Sequence, residues 1–285
     1  AKIISIGTAS PRYSTSQLDI LDFMEQAYSD KTDFRKLRVL VNQSGIAKRY
    51  SVLPDFGLDI QPAFFRHQET QPDVESRMNK YKDNAPGLAL ESINNTLEPS
   101  GTAIEDITHL ITITCTGLHA PGLSAEVIRK LGLREDISHT AVNFMGCNAA
   151  FYALKIADLI INSDTNANVL IIAVELCTLH FQPKGNTDNL LSNTLFSDGA
   201  ASVLVMSDKT EIPGLTIDGF YSLLLHDGWD LMGWNVNPLN FEMILNSQVP
   251  VFIGREINRI LDRAAAHYSI TKDDISHWAI HPGGK

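Results

Sequence analysis

A cysteine that follows a glycine lies where a predicted strand gives way to a predicted helix. Cys147 comes directly after Gly146 at this junction. The N–H groups and the dipole at the start of a helix favour a thiolate over a thiol. Gly146 permits a tight turn and the close approach of another group. Free cysteine is also among the most frequently buried residue types, so from position alone an inert core cysteine is the commoner interpretation.

A histidine near the end of the sequence is the natural partner of this thiol. His281 closes a predicted strand over residues 276–280 and precedes Pro282-Gly283-Gly284. Active-site side chains gather at strand ends in α/β sheets, although a histidine that only caps a strand fits the same position. Cysteine and histidine together form a working nucleophile pair, because an imidazolium stabilises a thiolate and a neutral ring can polarise a carbonyl. This pairing predicts a lowered pKa for Cys147 and a sulfur that faces the His281 ring.

Strands and helices must alternate along the chain to position these side chains. The patterning predicts strands over 3–6, 107–114, 140–143, 168–175, 199–206 and 212–225, and helices over 16–29, 34–41, 86–97, 124–131, 148–161 and 249–267. Apolar residues occupy both faces of the 148–161 helix, which predicts a buried helix. Helices that alternate with buried strands predict an α/β fold in which helices cover a mostly parallel sheet.

Composition excludes several classes of function. The 285 residues carry a formal net charge of −10, and binding nucleic acid requires a basic surface. The three cysteines form neither a disulfide framework nor a spacing typical of zinc ligands. The longest apolar strings have strand length, so we expect no membrane segment and a cytoplasmic location.

Four motifs, in order, resemble those of chalcone synthase-like enzymes, the type III polyketide synthases. Residues 111–122 resemble that family's loop with a threonine-glycine and a proline-glycine, and a K-L-G-L stretch follows at 130–133. The sequence F-M-G-C at 144–147 resembles the nucleophile motif. The sequence L-F-S-D-G-A-A at 195–201 is similar to the family's L-F-G-D-G-A-A signature, and A-I-H-P-G-G at 279–284 resembles the catalytic-histidine motif.

The resemblance implies a thiolase fold, an α/β architecture of two similar β/α halves with helices between and outside the sheets. Residues 1–210 would form the first half, which carries Cys147, and 211–285 would begin the second half, which carries His281. Enzymes of this family are homodimers, so we expect a homodimer with the loop around Ala120-Pro121 near the contact.

The resemblance also implies an acyltransferase activity that uses acyl-CoA and malonyl-CoA and needs no resident cofactor or metal. Cys147 would take the starter acyl group as a thioester, and His281 would keep the thiol ionised and stabilise the oxyanion and enolate. Decarboxylative condensation and cyclisation would then give a pyrone, resorcinol or chalcone-type product.

Four further positions match substrate-binding residues of the family. Phe196 matches an aromatic gatekeeper between the CoA tunnel and the cavity, and Phe241 resembles the second gatekeeper after a gap in the alignment. Cys115 occupies a cavity position where plant enzymes carry threonine, which favours a lactone or resorcinol over a chalcone. Lys36 aligns with a basic CoA contact. The alternatives are core residues for Phe196 and Cys115 and a solvated helix face around Lys36.

One catalytic residue of the family has no match in these 285 residues. The family's asparagine lies well beyond the His-Pro-Gly-Gly motif, and we expect the sequence to be truncated before it. This truncation favours one alternative, a non-catalytic thiolase-fold dimer. A second alternative, within the same fold, is a ketoacyl-ACP synthase III-like enzyme that performs one condensation.

Overall fold

The computed structural model describes residues 1–57, 60–66 and 71–283. The strands are β1 (Lys2–Ala9), β2 (Tyr13–Ser16), β3 (Lys48–Ser51), β4 (His109–Thr114), β5 (Ser138–Asn143), β6 (Val169–Leu176), β7 (Asp198–Met206), β8 (Leu215–Thr216), β9 (Met232–Val236) and β10 (Phe241–Leu245). The α-helices are α1 (Gln17–Ala27), α2 (Lys31–Ser44), α3 (Val74–Ser100), α4 (Leu123–Leu131), α5 (Ala149–Ser163), α6 (Thr187–Leu195) and α7 (Val249–His267).

A six-stranded sheet in the order β5-β4-β6-β7-β1-β8 is the centre of the fold. The β4 strand pairs in parallel with β5 and β6, whereas the β6-β7, β7-β1 and β1-β8 pairs are antiparallel. The α/β class is confirmed, but the prediction of a mostly parallel sheet is wrong. The hydrophobic pattern of a strand buried on both faces does not encode its direction, which depends on the connections.

The long helix α3 covers one face of this sheet. Asp73 caps its first turn by accepting the Ser76 N–H at 2.8 Å. A Cβ at Gly7 of β1 would lie 2.5 Å from the Ser92 carbonyl oxygen and the Thr96 nitrogen of α3. The helix therefore lies directly on the strand, at a distance that only glycine permits.

The helix α5 packs on the other face of the sheet. Ala149, Ala153 and Ala157 point into a second core cluster and are fully buried. On the opposite side of the helix Phe151 and Leu159 are 56% and 61% exposed. The prediction of a helix buried on all sides is thus wrong for the described residues, in which only the alanine face is covered.

Three other predicted elements differ from the structure. The helix predicted over 86–97 begins at Val74, because the Asp73 cap and buried packing outweigh the one hydrogen bond that Pro86 removes. Of the strand predicted over 212–225 only Leu215–Thr216 forms, and no strand forms over 276–280. Ile280 is 79% exposed, and this segment pairs with no strand of the described chain, so it remains irregular.

The boundary expected after residue 210 is not tested by the fold and stays a prediction. In the part of the chain that the structure describes, no helix is both long and apolar enough to cross a bilayer. The same part contains no group of three or more potential metal ligands.

Candidate active site

Cys147 lies on a tight turn between β5 and α5. The β5 strand ends at Asn143, and a 3-10 turn over Gly146–Asn148 leads into the helix. Two residues before the thiol have positive φ angles, Phe144 at 64° and Gly146 at 62°. The predicted strand-turn-helix junction is confirmed, and the turn leaves Cys147 exposed, as a nucleophile requires.

The surroundings of Cys147 raise the pKa of its thiol. Partial burial contributes most, and the nearby Glu175 carboxyl contributes next. The expected lowering is therefore not observed. Cys147 lies before the first residue of α5, where a backbone hydrogen bond lowers the pKa too little to offset the burial.

Cys147 and His281 are not joined in this structure. His281 is exposed and lies in an irregular stretch, and within the described residues it forms no hydrogen bond or ion pair. Its imidazole is also not among the groups that shift the pKa of Cys147. The predicted contact between the Cys147 sulfur and the His281 ring does not form here, and the catalytic role of His281 stays a prediction.

A largely covered carboxyl, which the sequence reasoning missed, lies close to Cys115 and Cys147. Glu175 is near the end of β6, and its carboxylate accepts the Cys115 N–H at 2.8 and 3.1 Å and the Thr116 hydroxyl at 2.6 Å. Burial raises the pKa of Glu175 to about 7. The signal was present in the sequence, because Glu175 follows an unbroken apolar run in a strand that is otherwise buried.

Cys115 lies against the turn that carries Cys147. The parallel register of β4 and β5 pairs Thr114 with Asn143, so the residues after these two strands are neighbours. The Cys115 sulfur accepts the Gly146 N–H at 3.2 Å. Burial and the Glu175 carboxyl raise the pKa of Cys115, so its thiol acts here as an acceptor for the turn.

The third cysteine, Cys177, follows β6 and is the most shielded of the three thiols. Burial raises its pKa well above the ordinary value, and Glu175 and Asp198 raise it further. A thiol that stays protonated is a poor nucleophile, which favours a structural role for Cys177.

Phe196 ends α6 beside a buried ionic network. Its carbonyl accepts the Arg49 guanidinium N–H at 2.9 Å, and the Arg49 Nε donates to Gln17 at 2.7 Å. Asp198 accepts the Val52 and Thr178 N–H groups, each at 2.8 Å. Burial raises the pKa of Asp198 to about 6. The network fixes the backbone at Phe196, whose gatekeeper role stays a prediction.

Phe241 is held between two other rings at the start of β10. The His180 ring stacks on one face with centroids 4.6 Å apart, and the Trp234 ring stacks on the other at 4.9 Å. Trp234 in turn contacts the edge of Phe144, with centroids 5.2 Å apart. Four rings therefore connect His180 to the Cys147 turn, and we call His180, Phe241, Trp234 and Phe144 the aromatic ladder.

Lys36 lies apart from these side chains on α2. Its ammonium pairs with Asp33 at 3.2 Å, and its side chain is 57% exposed. An exposed ion pair one helical turn apart fits a solvated helix face as well as a CoA contact, so the CoA-binding role of Lys36 stays a prediction.

Comparison with known proteins decides the family. The family model described as chalcone and stilbene synthases, N-terminal domain, matches residues 1–209. The chain belongs to the chalcone and stilbene synthase family. A 3,5-dihydroxyphenylacetyl-CoA synthase from Streptomyces toyocaensis is 30% identical, over 100% of this chain and 71% of that protein. An α-pyrone synthesis polyketide synthase-like protein, Pks18 of Mycobacterium tuberculosis, is 27% identical over 100% of this chain and 72% of its own length.

Solved structures agree with this family in fold. The crystal structure of PKS-I from the brown alga Ectocarpus siliculosus superposes with a TM-score of 0.93 at 26% identity, and covers 99% of this chain and 77% of that chain. The C-terminal type III polyketide synthase domain of Steely1 from Dictyostelium gives a TM-score of 0.86 at 25% identity, over 100% of this chain and 79% of its own. The thiolase-type α/β fold and the assignment as a type III polyketide synthase, an acyltransferase-type enzyme, are thereby confirmed.

Proposed function

We propose that this chalcone synthase-like enzyme condenses malonyl-CoA onto an acyl-CoA starter that is held on Cys147. The observation that carries the proposal is the exposed thiol of Cys147 on its strand-turn-helix junction, within a family of polyketide synthases. Cys147 would attack the thioester carbonyl of the starter, form a new C–S bond and release CoA as the thiol. The starter thioester supplies the acyl group for this step, and its CoA is the leaving group.

Extension then requires an enolate. Loss of CO2 from malonyl-CoA leaves the electron pair of the broken C–C bond on the enolate, which attacks the Cys147-bound carbonyl. A new C–C bond forms, and the C–S bond to Cys147 breaks. We propose that His281 takes the Cys147 proton before loading and donates to the oxyanion and the enolate, because an imidazole is suited to both roles near neutral pH.

The remaining assignments rest on the family resemblance. Phe196 and Phe241 would border the passage for the CoA thioesters, and Lys36 would contact a CoA phosphate. Cys115 in place of a threonine provides a weaker hydrogen-bond donor in the cavity, which favours a pyrone or resorcinol-type product. The names of relatives that make an α-pyrone and a dihydroxyphenylacetyl-CoA support this product class. A homodimer is proposed on the same grounds.

Radiolabelled malonyl-CoA and a panel of aliphatic and aromatic acyl-CoA starters test this proposal. The protein, expressed from its complete coding sequence, should release CoA and CO2 and give a labelled product with at least one starter. Cys147→Ser should abolish the product, whereas Cys177→Ala, which alters a thiol outside the proposed machinery, should keep activity within about twofold of wild type. Product formed by Cys147→Ser would contradict the nucleophile assignment.

A second pair of variants tests His281. His281→Gln should lower kcat by about a hundredfold to ten-thousandfold, the range typical of a lost general acid-base group. His277→Gln is the matched control, since His277 is exposed on the same irregular segment. If the two variants lower kcat equally, His281 has no specific role in the mechanism. The assignment of Cys147 as the nucleophile would not be affected by that result.

A further inference from the structure

His180 is a half-buried histidine that the proposed mechanism does not use. It follows β6 in a 3-10 turn over Cys177–His180. Its Nε2 lies 2.9 Å from the Thr116 carbonyl oxygen, and its Nδ1 accepts the Phe241 N–H at 3.1 Å. Both ring nitrogens are therefore engaged by backbone groups, one from the loop after β4 and one from β10.

These two contacts define the protonation state of the ring. A carbonyl oxygen can only accept, so Nε2 carries the proton, and an N–H can only donate, so Nδ1 is unprotonated. Burial agrees with this tautomer, because it lowers the pKa of His180 to about 4 and keeps the ring neutral. His180 thus serves as a neutral bridge, in which protonation would remove the acceptor for Phe241.

The face of the His180 ring also contacts Phe241. The imidazole and the Phe241 ring are inclined by 15° with centroids 4.6 Å apart. The His180 carbonyl accepts the Asn240 side-chain amide at 3.1 Å, so three contacts join His180 to the start of β10. This strand is in a two-stranded hairpin with β9, separate from the six-stranded sheet. Besides His180, Lys184 also contacts this strand, through an ion pair with Glu242 at 2.8 Å.

The geometry points to His180 as a positioning residue that anchors the β9-β10 hairpin, and through it the aromatic ladder, beside the Cys147 turn. With one face of Phe241 covered by His180 and the other by Trp234, the Phe241 ring is fixed rather than free to swing. The inference rests on the proposed function in one respect, namely that Phe241 borders the substrate passage. It assigns to His180 no contact with substrate.

Titratable groups around His180 are few. Arg77 is the one charged side chain that lowers the pKa of its ring, and the buried Arg77 guanidinium donates to the Leu179 and Phe181 carbonyls on either side of it. The position of His180 is therefore secured by a fixed cation, and no carboxylate contributes to its pKa among the described residues.

Trp234 provides a readout that is independent of activity. The chain has three tryptophans, and Trp229 and Trp278 are exposed. In a Trp229→Phe, Trp278→Phe background, Trp234 is the only tryptophan, and its emission reports whether it still stacks on Phe241. His180→Phe keeps a ring and removes both hydrogen bonds, whereas His180→Gln keeps a donor and an acceptor and removes the ring.

We expect His180→Phe to shift Trp234 emission to longer wavelength and to raise KM for the starter by about tenfold, the effect of one or two net hydrogen bonds. Its kcat should change little, because interactions remote from the reacting atoms affect both ground and transition states. His180→Gln should recover most of the lost binding. Iodoacetamide labelling of Cys147 should be unchanged in both variants, which shows that the turn is intact.

Three outcomes would overturn the inference. The first is a wild-type Trp234 spectrum and KM in His180→Phe, and the second is a fall in kcat with KM unchanged. The third is a loss in His180→Gln as large as that in His180→Phe. If wild type makes no product with any starter, the proposed function fails, but the Trp234 emission of the variants still tests the anchoring role.

Discussion

Glu175 is a carboxyl whose charge opposes the formation of a thiolate at Cys147. Its negative charge is the second cause of the raised pKa of Cys147, after burial. With its own pKa raised to about 7, Glu175 is partly neutral at the pH where the enzyme would load a starter. The nucleophile is therefore more easily ionised when Glu175 holds its proton.

Replacement of Glu175 should accelerate the modification of Cys147. Glu175→Gln keeps an acceptor for the Cys115 N–H but cannot ionise, so the pKa of Cys147 should fall and iodoacetamide should label it faster at pH 8. Rates of labelling measured by peptide mass mapping from pH 6 to 10 would show this as a displaced titration curve. Equal or faster labelling of Cys115 or Cys177 in the wild type would contradict Cys147 as the reactive thiol.

The same carboxyl should make the stability of the protein depend on pH. The folded-state pKa of Glu175 is about 7 against 4.5 for the free side chain, so between these values the folded state holds a proton that the unfolded state releases. The contribution of Glu175 to the free energy of unfolding is therefore lost as the pH rises through this window.

Compared with wild type, Glu175→Gln should gain roughly 2 to 3 kcal/mol of unfolding free energy between pH 5 and pH 8, since one pKa unit is worth about 1.4 kcal/mol. Urea unfolding of both proteins at the two pH values measures the difference. Asp198 and His180 titrate in both proteins, so their contributions cancel in the difference between the two unfolding free energies. A difference between the proteins that does not change with pH would show that Glu175 ionises normally.

At the scale of the elements, local signals predicted helices better than strands. Ser16 caps α1 by accepting the Asp19 N–H at 3.1 Å, and α7 has the predicted bounds Val249–His267. Helix periodicity and caps are local, so the sequence carries them. A strand forms only beside a partner, which explains why residues 276–280 read as a strand and remain irregular.

Those parts of the candidate site that depend on residues close together in sequence could be predicted. The turn around Cys147 has a sequence signature, and the structure places Cys115 beside it as the parallel β4-β5 register requires. His180 gave no signal, because its role depends on backbone groups 64 and 61 residues away in the chain. The stacking of Trp234 on Phe241 was likewise hidden, since β9 and β10 lack a clear alternating pattern.

The contact between β1 and α3 supplies a prediction about packing. A Cβ at Gly7 would come within 2.5 Å of backbone atoms of α3, which cannot move without displacing the helix. Gly7→Ala should therefore destabilise the protein by about 2 kcal/mol or more, the cost typical of overpacking a core. Gly87→Ala is the matched control within α3, because a Cβ there meets nothing within 4 Å.

Thermal or urea unfolding of the two glycine variants distinguishes them. Gly87→Ala should be neutral or more stable than wild type by up to about 1 kcal/mol, since alanine is the better helix former. An equal loss of stability in both variants would show that the loss comes from replacing a glycine and not from the close approach of α3 to β1.

At the scale of the whole molecule, two helices carry several exposed apolar side chains each. They are Phe151 and Leu159 on α5, and Val251, Ile253 and Ile257 on α7, which has no buried residue. Contiguous exposed apolar surface in a folded protein marks a contact surface. The acidic net charge of −10 keeps such a surface from nonspecific association with nucleic acid.

The loop after β4 is where the expected homodimer can be tested. It contains Leu118, which is 51% exposed, and the exposed Ala120 and Pro121. If two copies meet around Ala120-Pro121, Leu118 becomes buried on assembly, and a carboxylate in its place would have to lose its hydration. Leu118→Asp should then weaken the dimer by at least about tenfold, which corresponds to about 1.4 kcal/mol.

Light scattering coupled to size-exclusion chromatography over a range of concentrations measures this shift. The wild type should elute with twice the mass of its chain, and Leu118→Asp should dissociate at higher concentration. Leu215→Asp is the control, because Leu215 is 71% exposed on the edge strand β8 and lies away from the predicted contact. A monomeric wild type, or the same dissociation in both variants, would show that the loop after β4 does not form the interface. A Leu118→Asp monomer that keeps its unfolding free energy would show that the loop serves assembly and not folding.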